Sequence, residues 1–376
     1  MQMLTLVGNG WHPWLFREES KSLMGEIEVL HPRVVNIPLQ ENTHSRISRA
    51  ALIDDVLENP ASLTITEDVT SSQIGEAISE WSAEFMEPGT FAVRSRSIGI
   101  GIDGVSSKDI EKEAGARISS INNIVDLGDP EIEISVVIAG RTEGEAHPDP
   151  LVEANPIAVW GIRNPDWERE NYSGRSPTDR PFFKPVSLEP RQARLLISLG
   201  YRPGREIREV VDPFCGTGGI VIEAALQGLG VLASDLDSRM VNGTRENLDW
   251  VGADYRVEKC NASEIGSTWG RRSDCVFAFD PPYGRSSWKS EDGLDLFLSA
   301  LSSAREVDPE GVISTMLPTG PEVLSQNPEE EFIVMGKKWS ELEELIAQRG
   351  WRVVLKSPIK VHRSLARMVI VCHPSD

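Results

Sequence analysis

Short apolar runs separated by turn residues fill the first part of the chain. In Glu131–Ala139 apolar residues alternate with polar ones, which is typical of a strand with one solvated face. Similar runs predict strands at Met3–Val7, Glu26–Leu30, Arg33–Ile37, Ser62–Thr66 and Thr90–Arg96. Helical spacing predicts helices at His44–Leu57, Ser72–Phe85 and Asp109–Ile118. We therefore expect an N-terminal region at 1–60, a small α+β domain at 61–142, and a linker at 143–185 that is rich in Pro, Asp, Glu, Arg and Asn.

From about residue 186 the pattern changes to an alternation of buried strands and amphipathic helices. The predicted helices are Pro190–Leu199, Ile220–Leu229, Ser238–Trp250, one near Gly293–Arg305, and Trp339–Arg349. The predicted strands are Arg208–Asp212, Gly230–Asp235, Asp254–Val257, Cys275–Asp280, Gly311–Leu317, Trp351–Ser357 and Ala366–Cys372. This order is typical of a doubly wound parallel sheet, in which the final strand can run antiparallel. The expected fold class is α/β, with a Rossmann-like domain at 186–376 after the smaller α+β regions.

The stretch Cys275–Gly284, reading CVFAFDPPYG, carries the clearest chemical signal. Its apolar run predicts a buried strand of a parallel sheet, so Asp280 stands at the carboxyl end of that strand, where open α/β sheets bind ligands. Pro281 and Pro282 fix φ and lack backbone donors, which leaves carbonyl oxygens as acceptors. With Tyr283 as a stacking ring, the turn suits a planar base that bears an amino group. A strand that ends in a plain proline turn is the simpler alternative.

A glycine-rich turn, Asp212–Gly219 (DPFCGTGG), follows the first strand of this region. Gly216 and Gly218 would let the backbone approach a ligand closely. Asp235 lies 19 residues after Gly216 (235 − 216), at the end of the second strand, where a carboxylate can bind both ribose hydroxyls. A nicotinamide dinucleotide would meet the same test. S-adenosylmethionine is favoured because the loop is not GxGxxG, because Asp212 would repel a pyrophosphate but receive an ammonium group, and because the proline turn follows the fourth strand.

Composition narrows the class of protein. The 376-residue chain has a formal net charge of −20 and a pI of about 4.8, so charge alone does not suggest a nucleic-acid partner. Its four cysteines and six histidines lack CxxC and HExxH spacing, so we expect no metal and no disulfide framework. No window approaches the roughly 18 apolar residues of a membrane helix, and no signal-peptide pattern opens the chain. We expect a reduced, cytoplasmic protein without a membrane partner.

Two groups of arginines are candidate contacts to a nucleic-acid backbone. Arg94 and Arg96 share one face of a predicted strand, where the alternative is an ordinary solvated face. Arg175 and Arg180 belong to the segment Arg175–Pro185 (RSPTDRPFFKP), a basic and aromatic patch in an acidic protein. The patch could approach phosphate while its phenylalanines wall a ligand pocket, or it could simply pack against the second domain.

Five segments of the second half form a recognisable set. They are Arg180–Pro185 (RPFFKP), Val211–Ile220 (VDPFCGTGGI), Arg245–Leu248 (RENL), Asp280–Ser287 (DPPYGRSS) and Val361–Arg367 (VHRSLAR). This set resembles class I S-adenosylmethionine-dependent methyltransferases, and more narrowly the archaeal and eukaryotic tRNA guanosine N2-methyltransferases that act on nucleotide 10. Residues 61–142 are similar to a THUMP domain through Phe91–Arg96 and Ile124–Ile138, and the region at 1–60 is similar to the ferredoxin-like region that precedes it.

The resemblance implies that the THUMP domain grips the tRNA acceptor end while the second half transfers one or two methyl groups to the guanine N2 amine. The implied catalytic residues are Asp280, Pro281, Pro282 and Tyr283. The implied cofactor-binding residues are Phe183, Pro185, Asp212, Phe214, Gly216, Thr217, Gly218, Asp235, Leu236, Asn261, Ala262 and Asp280. The implied RNA-binding residues are Arg94, Arg96, Arg175, Arg180, Arg285, Arg363 and Arg367, of which the last two could equally form surface ion pairs. The expected partner is tRNA, with activity as a monomer and a small activating subunit left open.

One departure from the family pattern concerns the acid that often follows the third strand and holds the adenine amine. Asn261 stands near that place, and its side-chain carbonyl can still accept such a bond. Rival functions are methylation of another tRNA or rRNA guanosine, of DNA adenine N6 or of protein glutamine, the last two usually with Asn at the start of the proline turn. A catalytically idle tRNA-binding protein is disfavoured by the intact Asp212, Gly216, Asp235 and Asp280.

Overall fold

The computed structural model describes residues 2–142, 155–185, 187–282, 291–324, 330–362 and 365–375. The chain divides into two compact units, Met1–Ser48 with Leu52–Glu170, and Arg49–Ala51 with Asn171–Asp376. Across the described ranges, no helix combines the length and the apolar character that crossing a lipid bilayer requires.

The first unit is built on an eight-stranded sheet in the order β2-β3-β1-β4-β8-β7-β5-β6. Neighbouring strands are antiparallel except that β5 runs parallel to both β6 and β7. The strands are β1 (Met3–Gly8), β2 (Glu28–His31), β3 (Val34–Pro38), β4 (Ile53–Thr64), β5 (Gly89–Ile98), β6 (Asn123–Val125), β7 (Ile132–Ala139) and β8 (Ile157–Arg163). The helices are α1 (Pro13–Met24), α2 (Thr43–Ile47), α3 (Ser71–Phe85) and α4 (Ser107–Ile118).

Helices α3 and α4 cover one end of this sheet with apolar side chains. Ile78 of α3 and Ile110 of α4 join Phe91 in one buried cluster. Helix α3 begins at a capping box, in which the Thr70 hydroxyl accepts the Gln73 N–H and the Gln73 amide oxygen accepts the Thr70 N–H at 2.9 Å. The predicted helices at Ser72–Phe85 and Asp109–Ile118 are therefore confirmed.

The second unit contains a mostly parallel sheet. Strands β11, β10, β9, β12 and β13 lie side by side and run parallel, β17 is antiparallel to β13, and β16 is antiparallel to β17. The strands are β9 (Glu209–Asp212), β10 (Gly230–Asp235), β11 (Arg256–Lys259), β12 (Cys275–Phe279), β13 (Val312–Thr319), β14 (Ile333–Val334), β15 (Lys337–Lys338), β16 (Trp351–His362) and β17 (Leu365–Pro374). The helices are α5 (Pro190–Leu199), α6 (Gly219–Leu226), α7 (Ser238–Trp250), α8 (Ile265–Trp269), α9 (Glu291–Val307) and α10 (Trp339–Ala347).

The predicted doubly wound sheet with an antiparallel last strand is confirmed. All five residues of the central strand β12 are buried, as expected of a parallel strand with helices on both faces. Phe277 and Phe279 pack in one cluster with Phe297 and Trp351, and the Trp351 indole N–H donates to the Leu301 carbonyl at 2.9 Å. This core holds the ends of the central strands in place.

Three expectations for the first half need correction. The predicted helix at His44–Leu57 is wrong, because only Thr43–Ile47 is helical and the chain then enters β4, which pairs with β1 and β8. Strand β4 also runs through residue 60, where a boundary between two regions was expected. The expected linker at 143–185 contains strand β8, whose backbone is paired with β4 and β7. Tertiary pairing here overrides local propensity.

Candidate active site

Three acids lie at the carboxyl ends of neighbouring parallel strands in the second unit. Asp212 ends β9, Asp235 ends β10, and Asp280 directly follows the last residue of β12. Strand β9 pairs with both β10 and β12, so the acids stand on adjacent strands. Open α/β sheets bind their ligands at this edge. We call Asp212, Asp235 and Asp280 the acidic edge.

Asp212 is buried, and its Oδ1 accepts a hydrogen bond from the Phe214 N–H at 3.0 Å. Burial raises the pKa of Asp212 well above its usual value; the Phe214 bond opposes that shift, and the negative charges of Asp235 and Asp280 add to it. Asp235 and Asp280 are therefore both close enough to Asp212 for their negative charges to act on it. Positive charge brought to this edge would stabilise all of them.

The loop between β9 and α6 is shaped by glycine. Gly216 and Gly218 have φ values of 52° and 80°, which L side chains rarely adopt, and Gly218 lies at the N-terminus of α6. A Cβ on Gly218 would lie 3.0 Å from Cγ2 of Thr244. The Gly216 N–H donates to Oδ2 of Asp235 at 3.1 Å, which ties the loop to the acidic edge.

Asp235 is half-buried, and its second oxygen, Oδ1, accepts from the Asp237 N–H at 2.8 Å. Burial raises the pKa of Asp235, although both backbone hydrogen bonds oppose this shift. The next residue, Leu236, is 64% exposed. A fixed carboxylate beside an exposed apolar side chain suits a nucleoside, since the acid can bind hydroxyl groups and the apolar surface can contact a base.

Asn261 follows β11 and caps a short 3-10 turn. Its Oδ1 accepts from both the N–H and the hydroxyl of Ser263, each at 3.1 Å. The neighbouring Ala262 is buried. Because the Asn261 oxygen already accepts two hydrogen bonds, its visible role is local, and the predicted bond to an adenine amine stays a prediction.

Asn247 of α7 joins the glycine loop to the RPFFKP segment. Its Nδ2 donates to the carbonyl oxygens of Phe182 at 2.6 Å and Thr217 at 2.8 Å, and its Oδ1 accepts from the Phe182 N–H at 2.9 Å. The Phe182 ring packs on α7 where Gly243 leaves room, since a Cβ there would lie 2.0 Å from the ring. The segment is thereby fixed beside the loop.

The predicted cofactor residues around this bridge differ in exposure. Phe183 is 49% exposed and Pro185 is also exposed. Thr217 is buried, with its hydroxyl 2.9 Å from that of Ser187, and Phe214 is half-buried with its ring centroid 5.6 Å from that of Phe279. Phe183 and Pro185 can therefore meet a ligand with their side chains, whereas Thr217 acts on the loop itself.

The proline turn begins at a well-fixed strand end. The buried Thr315 of β13 donates from its hydroxyl to the Phe279 carbonyl at 2.8 Å. The Asp280 side chain is 17% exposed, and its Oδ2 lies 3.1 Å from Nη1 of Arg367, which belongs to β17. Pro281 is buried. The acid of the turn is thus held from both sides, by the strand before it and by an ion pair.

Comparison with known proteins agrees with this geometry. A family model described as UPF0020 (RMKL-like, methyltransferase domain) matches residues 177–363. The tRNA (guanine(10)-N2)-dimethyltransferase of Methanothermobacter thermautotrophicus is 33% identical over 296 residues, 78% of this chain and 75% of that protein. The chain belongs to the tRNA (guanine(10)-N2)-methyltransferase family. A second member, the dimethyltransferase of Pyrococcus abyssi, is 32% identical over 262 residues, 69% of this chain and 72% of that protein.

Among solved structures, TrmN from Thermus thermophilus is similar over 100% of both chains, with a TM-score of 0.47 and 20% identity. The family resemblance expected from the sequence motifs is confirmed by the curated relatives. As a member of the tRNA (guanine(10)-N2)-methyltransferase family, the chain uses S-adenosylmethionine as its methyl donor.

Two residues predicted to contact tRNA, Arg175 and Arg180, lie in the second unit. Arg175 forms a two-pronged ion pair with the buried Glu223, at 2.7 Å and 3.2 Å. Arg180 is 3% exposed, and its guanidinium donates to the carbonyls of Arg175 and Leu188. Burial lowers the pKa of Arg180. A buried acid on α6 thus pairs with Arg175, and local carbonyls accept from Arg180, so both side chains have partners within the protein; their phosphate contacts stay a prediction.

Arg367 is a third predicted phosphate contact that has a partner within the protein. It was expected to bind tRNA phosphate, but it is 7% exposed and paired with Asp280. Pro282, a predicted catalytic residue, is exposed. Three further predicted residues lie outside the described residues, namely Tyr283, Arg285 and Arg363. Stacking by Tyr283 and phosphate contacts by the last two stay predictions.

In the first unit Arg94 and Arg96 do line one surface. They border a cavity of about 310 Å³ together with Arg163, Arg169, Asp54, Asp55, Glu133, Ser95 and Ser135; we call this the arginine-lined cavity. Arg94 pairs with Glu133 at 3.0 Å, and Arg96 lies 3.6 Å from Asp55. Their RNA contacts stay a prediction, but their common face is confirmed.

Asn247 was not among the residues that the sequence patterns predicted to form the site. The signal was present, since it lies in the RENL motif at Arg245–Leu248 and is a polar residue at a position of α7 that packs inward. Fully buried amide side chains in amphipathic helices need partners, and here the partners are the glycine loop and Phe182.

Proposed function

We propose that this protein transfers methyl groups from S-adenosylmethionine to the exocyclic N2 amine of a guanosine in tRNA, at position 10. The observation that carries the proposal is the acidic edge, where carboxylates on three adjacent strands surround a glycine turn. The curated relatives supply the substrate, because two archaeal members are named tRNA (guanine(10)-N2)-dimethyltransferases. Their names also favour N2,N2-dimethylguanosine as the final product.

The residues present fit S-adenosylmethionine, which carries an ammonium group, a ribose diol and a sulfonium. Asp212 would receive the ammonium, and this positive charge would offset the burial and the neighbouring negative charges that raise the pKa of Asp212. Asp235 would accept from the ribose hydroxyls, while the exposed Leu236 and Phe183 would contact the adenine. When bound, the cofactor supplies an electrophilic methyl group on a cationic sulfur.

The proline turn would prepare the amine for methyl transfer. The guanine amine is conjugated with its ring and is a poor nucleophile. Asp280 and the Pro281 carbonyl would accept its two N–H bonds, which orients the nitrogen lone pair away from the ring. As the N–C bond forms and the C–S bond breaks, Asp280 would take the proton that leaves the nitrogen. Positioning and electrostatic stabilisation provide most of the rate.

Substrate tRNA would be held by the first unit as well. Arg94 and Arg96 remain 48% and 38% exposed at their side chains, so phosphate oxygens can replace their acid partners. The acidic edge and the proline turn come from one chain, which favours activity as a monomer. Adding a small partner protein to the purified chain would show whether an activating subunit raises its rate.

The decisive experiment incubates the purified chain with labelled S-adenosylmethionine and an unmodified tRNA transcript, followed by nucleoside analysis. The expected products are N2-methylguanosine and N2,N2-dimethylguanosine, and a transcript with adenosine at the target position should stay unlabelled. Label in DNA adenine or in protein would support a rival function. Cofactor binding without transfer to any of these would show a catalytically idle protein.

A further inference from the structure

The contact between Arg367 and Asp280 has a geometry that a surface ion pair lacks. Strand β13 lies between β12 and β17, with Pro318 opposite Arg367 in the β13–β17 register. The guanidinium spans this strand and places Nη1 3.1 Å from Oδ2 of Asp280, with the two side chains only 8% and 17% exposed. An ion pair so far removed from water is weakly screened, so it constrains the orientation of the carboxylate.

Asp280 has a negatively charged neighbour as well as a positively charged one. Asp212 stands on the neighbouring strand β9, and its negative charge and that of Asp280 repel each other. Such repulsion favours protonation of one member of the pair. The guanidinium of Arg367 opposes this, because arginine stays protonated and donates without accepting. The charges of Arg367 and Asp212 therefore act on Asp280 in opposite directions.

The state of Asp280 matters for the choice of base. An ionised carboxylate accepts hydrogen bonds only, whereas a protonated carboxyl or an asparagine amide also donates. Guanine presents the N1–H and the N2 amine as adjacent donors. Adenine presents an amine beside N1, which is an acceptor. An acceptor-only group at the turn therefore matches guanine and repels adenine N1.

We infer that Arg367 is a positioning residue that holds Asp280 ionised and oriented, and that it thereby makes the site selective for guanine over adenine. This inference rests on the proposed function, because it concerns the same transfer step. Arg367 itself does not touch the base in this account; it acts through the carboxylate.

The test compares Arg367→Met, Arg367→Gln and Arg367→Lys with the wild-type full chain on tRNA transcripts that carry guanosine or adenosine at the target position. For the Met and Gln variants kcat on guanosine should fall about 100-fold while KM for tRNA and the affinity for S-adenosylmethionine change less than about threefold. The Lys variant, which restores a cation, should recover at least about tenfold of that loss. The guanosine-to-adenosine rate ratio should shrink in the Met and Gln variants and return toward the wild-type ratio with Lys.

Arg205→Met is the matched control. Arg205 forms a similarly buried ion pair with Asp308, and Asp308 accepts from the N–H of Cys275 at the opposite end of β12. Its removal should lower the unfolding temperature with kcat changed less than about twofold. Because Gln keeps a donor in place of the cation, the Gln variant carries the test if the Met variant does not fold.

Two results would overturn the inference while leaving the proposed function intact. One is an active wild type whose Met and Gln variants keep its kcat and base preference. The other is an equal kcat loss in Arg205→Met, which would mark the effect as structural. A wild type that binds S-adenosylmethionine but does not methylate tRNA guanosine overturns the proposed function and this inference together.

Discussion

The acidic edge and the arginine-lined cavity use the same kinds of side chain to opposite effect. At the acidic edge, burial raises the pKa of Asp212, and the carboxylates of Asp235 and Asp280 on the neighbouring strands add to this shift. In the cavity, four arginines outnumber three acids, and pairs such as Arg94 with Glu133 remain open to solvent. The difference is one of local charge: the first region gains from a cation and the second from an anion. A chain with a net charge of −20 can therefore serve both a cationic cofactor and an anionic RNA.

The largest expected effect is a loss of methyl transfer, without a loss of cofactor binding, when Asp280 of the acidic edge is replaced. Asp280→Ala should lower kcat for methyl transfer by about 1,000-fold or more, because the amine loses an acceptor and the proton its destination. Affinity for S-adenosylmethionine, measured by calorimetry, should change less than about threefold, since the proposed cofactor contacts of Asp212 and Asp235 are kept. Turnover close to that of the wild type would remove Asp280 from the mechanism.

Asp212→Asn should weaken binding of S-adenosylmethionine by about 10- to 100-fold, because the cofactor ammonium loses a charged partner. The same change should stabilise the free protein. The folded-state pKa of Asp212 is raised, so the folded wild type binds more protons than the unfolded chain and loses stability as pH rises above the usual carboxyl range of about 4. The difference in unfolding temperature between Asp212→Asn and wild type should therefore grow from pH 5 to pH 8.

If the difference in unfolding temperature did not depend on pH, the buried carboxyl of Asp212 would not have a raised pKa. If the affinity for S-adenosylmethionine did not change, Asp212 would not bind the cofactor ammonium. Saturating S-adenosylmethionine should shrink the stability advantage of the variant, because the ligand stabilises the wild type more.

The arginine-lined cavity should respond to the opposite ligand. The double variant Arg94→Gln with Arg96→Gln should weaken tRNA binding about tenfold and reduce the slope of log affinity against log salt by about 2. Its affinity for S-adenosylmethionine should stay at the wild-type level. Lys108→Gln, an exposed cation on α4 outside the cavity lining, is the matched control. If Lys108→Gln lost as much tRNA affinity as the double variant, the arginines of the cavity would contribute only general surface charge and not a specific tRNA contact.

The smallest expected effect comes from a substitution that does not change charge, so it tests packing at the cofactor site without changing the electrostatics of either region. Gly243→Ala would push the Phe182 ring off α7, lowering stability by about 1–3 kcal/mol and raising KM for S-adenosylmethionine a few-fold. The salt dependence of tRNA binding should not change. Gly115→Ala on α4, where a Cβ meets open space, should instead stabilise the protein slightly. Equal behaviour of the two variants would deny the RPFFKP segment a role in cofactor binding.

The pattern of apolar and polar residues predicted the features that depend on residues close together in the chain. The apolar run of β12, the glycine turn and the acids Asp212, Asp235 and Asp280 follow from local patterning, since a parallel sheet must bring their strand ends to one edge. The error at His44–Leu57 has the same origin, because alanines and charged residues there favour a helix locally while pairing of β4 with β1 and β8 decides for a strand.

The partners of the arginines could not be read from the chain. Arg175 and Arg180 lie in a basic patch of sequence, yet Glu223, 48 residues after Arg175 (223 − 175), pairs with the Arg175 guanidinium, and local carbonyls accept from Arg180. Arg367 lies 87 residues after Asp280 (367 − 280) and meets it only because β17 folds back beside β13. The sequence shows the sign of each charge but not which distant group forms an ion pair or a hydrogen bond with it.

By itself, the amino-acid sequence determined the second unit's sheet, its glycine turn, the positions of three acids and the family, because each depends on residues close together in the chain. The tertiary structure decided which arginines face solvent, which acid shares a buried ion pair, and how Asn247 joins the loop to RPFFKP. The physical reason is that electrostatic pairing and burial depend on distance in space, and folding brings together groups that the chain keeps far apart.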